Sequence, residues 1–330
     1  MARRPKLDDV AADVGLSTAS VSLVLRNAPG PSAETRARVL EAAQRLGYRP
    51  DRTASLLARR RSHLLGVLLD VRNPYHAELV AELHEAAENL GYDLVLSTVT
   101  ASRDEDRAIE TLTDFRCEAL ILLGPEASTG RLSSLAEQHP TIVVGRRTTA
   151  ERVDVVRSAD DHGVSQAVDH LVDLGHHAIA FVDGGRGTIA SDRRRGYRTA
   201  MRRHGLADQV RVVMGDHTEA SGARAAEALL DAGLPGAVVT FNDRVALGLL
   251  DAFTRAGVDV PGDVSVIGYD DSPAARFAHI DLTSVSQDAP QQARHAVVAA
   301  VEQLDGGHEG GHEVVLEPRL VVRGTTRGPA

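Results

Sequence analysis

The 330-residue chain contains one cysteine, Cys117, and one lysine, Lys6. A lone cysteine excludes an internal disulfide and fits a reducing compartment. No apolar run reaches the roughly eighteen residues of a membrane span. The opening MARRPKLDDV is charged and has no apolar core of the secretory kind, so cytoplasmic residence is expected. "GGRG" at Gly184–Gly187 lacks both the G-x-G-x-x-G spacing and a following lysine, and reads as a flexible loop rather than a phosphate cradle. No G-x-S-x-G or Ser-His-Asp arrangement stands out, so enzymatic activity is not expected. His176 and His177 have no cysteine partners or metal-ligand spacing, and "DGGHEGGH" at Asp305–His312 also reads as a flexible loop. No metal and no cofactor is expected. Cys117 precedes an apolar run and reads as a small buried hydrophobe.

Charge is unevenly spread along the chain. Residues 1–62 hold twelve Lys and Arg against six Asp and Glu, a net of +6. The whole chain carries −9, so the remainder carries −15. A basic head on an acidic body points to a polyanion as the partner of the head.

The head begins LDDVAADVGLSTASVSLVLRN at Leu7–Asn27. Val10, Ala11 and Val14, then Val21, Val24 and Leu25, recur at helical spacing. Gly15 falls where a sharp turn between two helices needs a left-handed residue. Ser17 is placed to cap the second helix through a backbone N–H. Thr18, Ala19, Ser22 and Leu23 then lie on its exposed side, with small residues that permit close approach to phosphates and bases. A third helix is expected over Ala33–Leu46, capped by Ser32. Three short helices fit a DNA-binding helix-turn-helix, and also a small bundle for protein contact. Next comes YRPDRTASLLARRRSHLLG, Tyr48–Gly66. Pro50 ends helix three, and Asp51 can cap a short helix over Arg52–Arg59. Leu56 and Leu57 sit among Arg52, Arg59, Arg60 and Arg61. Two readings stand side by side: a segment that folds on DNA with a leucine wedged into the minor groove, and a solvated basic linker.

From Leu64 the pattern alternates strand and helix. LLGVLLD, YDLVLSTV, EALILLG, TIVVG, HAIAFVDG, AVVTFND and VSVIGYD read as strands. HAELVAELHEAAENLG reads as an amphipathic helix, with Leu79, Leu83, Ala86 and Leu90 in phase and Gly91 as its stop. The alternation predicts parallel sheets covered on both faces, in two lobes. Ligands of such sheets bind beyond the carboxyl ends of the strands. There the sequence places Asp70, Asn73 and Tyr75, then Arg146 after Gly145, then Asn242, then Asp270. Taken singly, each Asx residue could merely cap the next helix. As a set they point to a pocket for a hydroxyl-rich or charged small molecule.

These stretches, with DVRNPYHAELV, AVDHLVDLGHHAIAFV, RRRGYRTAM, GDHTEASG, TFNDRVALGLL, VSVIGYDDSP, LTSVSQ and LEPRLVVRGTT in order, resemble the LacI/GalR family of bacterial transcription regulators along nearly the whole chain. The resemblance implies an N-terminal all-α helix-turn-helix domain plus an α/β core of two doubly wound lobes, like periplasmic sugar-binding proteins. It implies that STASVSL is the recognition helix, with Ser17, Thr18, Ala19, Ser22 and Leu23 toward DNA. It implies a hinge helix with Arg52 and Arg59 on phosphates and Leu57 as the intercalating residue. Leu23 stands where well-known members often have arginine, and it cannot donate a bidentate bond to guanine. By the same resemblance Arg193 grips the effector, while Asn242 and Asp270 supply polar contacts. Tyr75 lies in the pocket-facing loop, His217 replaces a frequent aromatic ring, and Gly145 replaces a frequent aspartate.

The expected organisation is residues 1–47 as helix-turn-helix, 48–62 as hinge, and 63–330 as effector-binding and dimerisation core. Lobe 1 spans about 63–158 and 289–312, and lobe 2 about 159–288 and 313–330. The expected partners are double-stranded operator DNA, a sugar-like effector and a second copy of the chain in a homodimer, with the HAELVAELHEAAENL helix a candidate contact. The expected function is an allosteric repressor. The alternatives are a periplasmic-type solute-binding protein and a regulator answering to a nucleoside or polyol.

Overall fold

A computed structural model describes residues 5–25, 29–48 and 61–329. Residues 1–62 and 63–330 form two units. In the first unit, Gly15 ends α1 (Leu7–Val14) at φ 67°, a left-handed position that glycine adopts without strain. Ser17 Oγ accepts the Ser20 N–H at 3.2 Å and opens α2 (Thr18–Leu25). Ser32 does the same for α3 (Ala33–Leu46), taking the Thr35 N–H. Val10, Val14, Val21, Val24 and Val39 close a small core between the three helices. The Arg38 guanidinium donates to the Val14 carbonyl at 2.9 Å, satisfying a group at the open end of α1.

The second unit holds two sheets. The first has the order β11-β5-β4-β3-β1-β2, with β1 (Leu64–Asp70), β2 (Asp93–Val99), β3 (Ala119–Leu123), β4 (Thr141–Val144), β5 (Val153–Ser158) and β11 (Glu313–Leu316), all parallel. Its faces are covered by α4 (Pro74–Asn89), α5 (Glu105–Asp114), α6 (Thr129–Ala136) and α11 (Ala289–Leu304). The second has the order β12-β10-β9-β8-β6-β7, with β6 (Ile179–Val182), β7 (Arg211–Val213), β8 (Ala237–Thr240), β9 (Ser265–Asp270), β10 (Thr283–Ser286) and β12 (Arg319–Val321). Only its β12 pairing is antiparallel. α7 (Asp160–Asp173), α8 (Thr188–Arg203), α9 (Glu219–Asp231) and α10 (Asp243–Arg255) cover it.

The chain therefore passes between the sheets three times, at 158–160, 286–289 and 316–319. The last crossing corrects the expected lobe boundary at 312. β11 pairs with β5 in parallel from Glu313↔Val155 to Leu316↔Ser158, so residues 313–316 belong to lobe 1. Another correction concerns α4. Its buried stripe is Tyr75, Leu79, Leu83 and Ala87, four residues apart, and it ends at Asn89. Leu90 lies past the last turn and is 45% exposed. That register anchors Tyr75 under the first turn of the helix. Cys117 is buried as expected, and burial pushes its thiol up to about 12. Among the described residues no helix is long and apolar enough to cross a membrane.

Candidate functional site

The first candidate surface is the outer side of α2. Ser17, Thr18 and Ala19 are exposed, Ser22 is half-buried, and Leu23 is 37% exposed, while Val21 and Val24 turn inward. The side therefore offers hydroxyls from Thr18 and Ser22 and methyl groups from Ala19 and Leu23. Hydroxyls read either donors or acceptors on a base edge, and methyl groups read the thymine methyl. Arg52, Leu57 and Arg59, expected in the hinge, lie outside the described residues.

The second is a cavity of about 570 Å³ at the carboxyl ends of both sheets. All eight residues expected to face an effector line it: Asp70, Asn73, Tyr75, Arg146, Arg193, His217, Asn242 and Asp270. Parallel topology explains the convergence, since every parallel strand delivers its following loop to the same side.

Arg193 sits on α8 and is buried. Its Nε donates to Asp160 Oδ1 at 2.7 Å and its Nη1 donates to the Phe241 carbonyl at 2.5 Å. Nη1 also lies 3.9 Å from Asp270 Oδ1. The guanidinium lies 3.5 Å over the Tyr269 ring and 4.8 Å over Phe241. Gly196, three residues on, makes this reach possible. A Cβ there would sit 2.3 Å from the Asp161 carbonyl, so only glycine lets α8 close on α7. Burial pulls the Arg193 charge down, but Asp160, Tyr269 and Asp270 outweigh it and hold the guanidinium above its ordinary value. Burial pushes Asp160 up against the pull of Arg193. The two directions oppose one another. The contact geometry in a dry site favours the charged pair, because arginine keeps its proton. Nη2 makes no hydrogen bond among the described residues, and Arg193 is part of the cavity lining.

Asp270 adopts φ 111°, a conformation side chains rarely take and one that clusters at functional sites. Gln287 Nε2 donates to its Oδ1 at 2.7 Å, and burial raises its pKa against the pull of Arg193. The turn is fixed from below. Asp243 Oδ2 accepts the Ser272 N–H at 2.7 Å, its Oδ1 accepts Ser284 Oγ at 2.6 Å, and Arg323 pairs with Asp271 at 2.5 Å. Tyr75 faces Asp270 and Arg193 from lobe 1. Its hydroxyl is buried and has no hydrogen-bond partner among the described residues, a costly state in an apolar setting.

Other expected residues take structural bonds as well. Asn73 Oδ1 caps α4 through the Tyr75 N–H, and Asn242 Oδ1 caps α10 through the Val245 N–H at 2.9 Å. Asn242 Nδ2 reaches the His217 carbonyl at 3.4 Å, leaving the exposed His217 ring to the cavity. Asp70 is chelated by Arg72, with contacts of 3.0 and 2.8 Å. Arg146 differs most from expectation. Its donors go to the carbonyls of Pro125, Ala127 and Arg147, so it braces the 125–127 loop as part of the cavity wall.

Several lining groups were not singled out in the sequence. Phe241 lines the cavity and, with the buried Tyr269 ring behind it, forms an aromatic seat for Arg193; Gly184 leaves room for the Phe241 ring, which a Cβ would meet at 2.3 Å. The GGRG stretch thus serves packing. His76 Nδ1 accepts the Asp70 N–H at 3.1 Å, and burial lowers its pKa to about 4, so the ring stays neutral. Arg244 is held by Glu219 at 2.5 Å. Asn73 and Asn242 were legible because Asx residues follow strands; nothing local marks Phe241 or His76.

Comparison with known proteins fits both surfaces. Residues 6–51 match the family model "Bacterial regulatory proteins, lacI family", and residues 168–326 match "Periplasmic binding protein-like domain". The HTH-type transcriptional regulator MalR of Streptomyces coelicolor is 35% identical over 97% of this chain and 96% of its own. The HTH-type transcriptional regulator AscG of Escherichia coli is 33% identical over 91% and 92%. Among solved structures, a LacI transcriptional regulator from a Rhodococcus species matches with a TM-score of 0.78 at 45% identity, over 81% of this chain and 98% of that one. The lac repressor dimer bound to operator and the anti-inducer ONPF matches with a TM-score of 0.85 at 28% identity, over 98% and 100%. Helix-turn-helix head, two-sheet core and cleft are thus shared with these regulators over nearly their full length, and the chain belongs to the lacI family of bacterial regulatory proteins.

Proposed function

We propose that this protein is a dimeric transcription repressor whose grip on operator DNA is set by a hydroxyl-rich small molecule, a sugar or sugar derivative, bound between its lobes. In this reading residues 1–47 read DNA, 48–62 join the two units, and 63–330 bind effector and pair with a second copy through α4. Ser17, Thr18, Ala19, Ser22 and Leu23 face the duplex. Arg193, Asn242, Asp270 and Tyr75 hold the effector, flanked by Asp70, Asn73 and His217.

One observation carries the reading. A buried guanidinium, a carboxyl one-tenth exposed and an orphan phenol meet in one cavity, from two lobes. Arg193 supplies donors, Asp270 an acceptor or donor, and Tyr75 either. Such a set satisfies neighbouring hydroxyls of a sugar ring, and Phe241 offers an apolar face beside them. The solved relative CelR is a complex with cellobiose, and this chain is 29% identical to it with a TM-score of 0.73. A ligand touching both lobes favours one arrangement of them, and the resulting coupling to DNA is typically about 1–3 kcal/mol.

The test is a titration of the full chain against a labelled fragment of its own upstream DNA, with and without a panel of sugars. A specific complex whose affinity changes about fivefold or more with one sugar class is expected. A protein that binds this fragment no better than unrelated DNA, or that ignores every sugar while binding it, overturns the proposal.

A further inference from the structure

The loop at residues 305–312, between α11 and β11, folds back onto the start of β5. Its two imidazoles, His308 and His312, stack with ring centroids 4.3 Å apart. Beside them is Asp154, the second residue of β5, only 2% exposed. Asp154 Oδ1 accepts the His312 N–H at 2.9 Å, and Oδ2 accepts the Gln303 amide at 2.7 Å. His308 Nε2 stands 3.4 Å from Asp154 Oδ2 and 3.8 Å from Glu302 Oε2. One ligating atom from each of Asp154, His308 and His312 lies within 4.8 Å of the others.

We propose that Asp154, His308 and His312 bind a divalent transition metal of the zinc class, with Glu302 or water as the fourth ligand. A carboxylate has about four lone-pair sites, and Asp154 uses two of them, one on Gln303 at the end of α11 and one on the loop. Two carboxylates beside two imidazoles supply the negative charge and the nitrogen ligands that select zinc-class ions over calcium or magnesium. Ligands about 2.0–2.2 Å from a tetrahedral ion stand roughly 3.3–3.6 Å apart. The present spread closes to that by turning one imidazole, on a loop that carries Gly306, Gly307, Gly310 and Gly311. The site lies at the end of the first sheet where its strands begin, so it is separate from the effector cavity at their other ends.

One bond must break for this to happen. The Gly310 N–H donates to His308 Nδ1 at 2.9 Å, which leaves the ring proton on Nε2, the atom facing Asp154. Binding at Nε2 shifts that proton to Nδ1 and releases Gly310, so the 308–311 turn rearranges as the metal enters. Gly310 is also packed hard on the residue just before β5, with only 2.2 Å from an added Cβ to the Arg152 carbonyl. Its amide is therefore a direct reporter of occupancy.

The experiment uses the chelator-treated full chain titrated with zinc chloride by calorimetry, with melting temperature and the Gly310 amide resonance followed in parallel. One site per chain with Kd of about 10 µM or tighter is expected, together with a rise in melting temperature and a shifted Gly310 resonance. His308→Gln with His312→Gln raises Kd at least tenfold and abolishes the thermal shift. His162→Gln with His177→Gln, at surface histidines elsewhere, changes neither. His312→Gln alone, at the exposed end of the loop, weakens binding even if the double variant folds poorly. Failure of the unaltered chain to bind zinc in this range overturns the proposal. So does a folded His308/His312 variant that binds as well as the parent.

Discussion

Replacing Arg193 by methionine removes a charge that three groups depend on. Asp160 loses a partner 2.7 Å away in a contact where both side chains are 4% exposed. The Phe241 carbonyl loses its 2.5 Å donor. Asp270 loses its nearest cation. Stranding one buried charge costs about 3–5 kcal/mol, and an unpaired buried carbonyl about 1–3 kcal/mol. Burial already raises Asp160, so it can take up a proton and recover part of the loss. A net destabilisation of about 4 kcal/mol is the expected balance. Arg193→Met with Asp160→Asn removes the stranded charge, so the double variant regains at least about 2 kcal/mol relative to additivity. Denaturant unfolding of the four proteins in the cycle measures this term. Operator titration with effector then separates scaffold from site, because the refolded double variant still lacks the donors facing the cavity. Additive losses would refute the charge-pair argument. A double variant with the parent's effector response would move the binding site away from Arg193.

Three further outcomes follow from single groups. His76 is neutral in the fold, with its pKa lowered to about 4 against about 6.5 in the unfolded chain. Between those values only the unfolded chain gains the proton, so stability falls as pH drops from 6.5 to 4 and is unaffected above. The loss is about 3 kcal/mol. His76→Asn flattens that part of the stability curve, and an unchanged slope would contradict the neutral ring. Tyr75→Phe deletes an unpartnered buried hydroxyl, so it leaves stability unchanged or raises it by up to about 1 kcal/mol. The same change weakens the effector response about tenfold if the phenol meets the ligand, read as the effector concentration for half response. Leu23→Arg lowers affinity for the native operator and raises it for operators with guanine at one position, by about 1–3 kcal/mol. An equal change on every sequence would show that residue 23 contacts no base.

The parts legible in the sequence were those fixed by neighbours along the chain. Gly15 and Ser17 mark the turn and the cap by residue type alone, and their geometry follows. The cavity residues were legible because the alternation of strands and helices forces loops after strands to one side, whatever the loops contain. What lay hidden depends on contacts distant in sequence. Arg146 sits in the right place, yet the 125–127 carbonyls claim its donors. Asp160 reads as the start of a helix, and only the closeness of α7 and α8 at Gly196 makes it the partner of Arg193. The 305–312 stretch has the composition of a loose loop, but Asp154, some 150 residues earlier, folds it down. Leu90 differs for a simpler reason: three helical turns beyond Leu79 it is in phase, but the helix ends at Asn89 and its buried stripe at Ala87.

How firmly the two lobes are held determines whether an effector can move them. The two apolar clusters of lobe 1 and the two of lobe 2 each lie wholly within their own lobe. Turning one lobe against the other therefore exposes little core. What spans the gap is polar. Arg147 meets Asp192 at 2.6 Å with the arginine 48% exposed, and Arg276 meets Glu78 at 3.3 Å with the arginine 50% exposed. Such partly exposed pairs contribute about 0–1 kcal/mol each. At the crossings, Gln292 Nε2 bonds Ser158 Oγ at 2.9 Å and the Gln287 carbonyl at 3.0 Å, while the Gln287 side chain holds Asp270. The ties sum to the same few kcal/mol that a cleft ligand can supply, so neither arrangement of the lobes is beyond its reach. Arg147→Ala with Arg276→Ala should then shift the effector concentration for half response by about threefold to tenfold while unfolding stability changes by less than about 1 kcal/mol. A pair of substitutions that leaves the response midpoint untouched would mean that these bridges do not set the balance between lobe arrangements, and that the buried Ser158–Gln292–Gln287 contacts alone do.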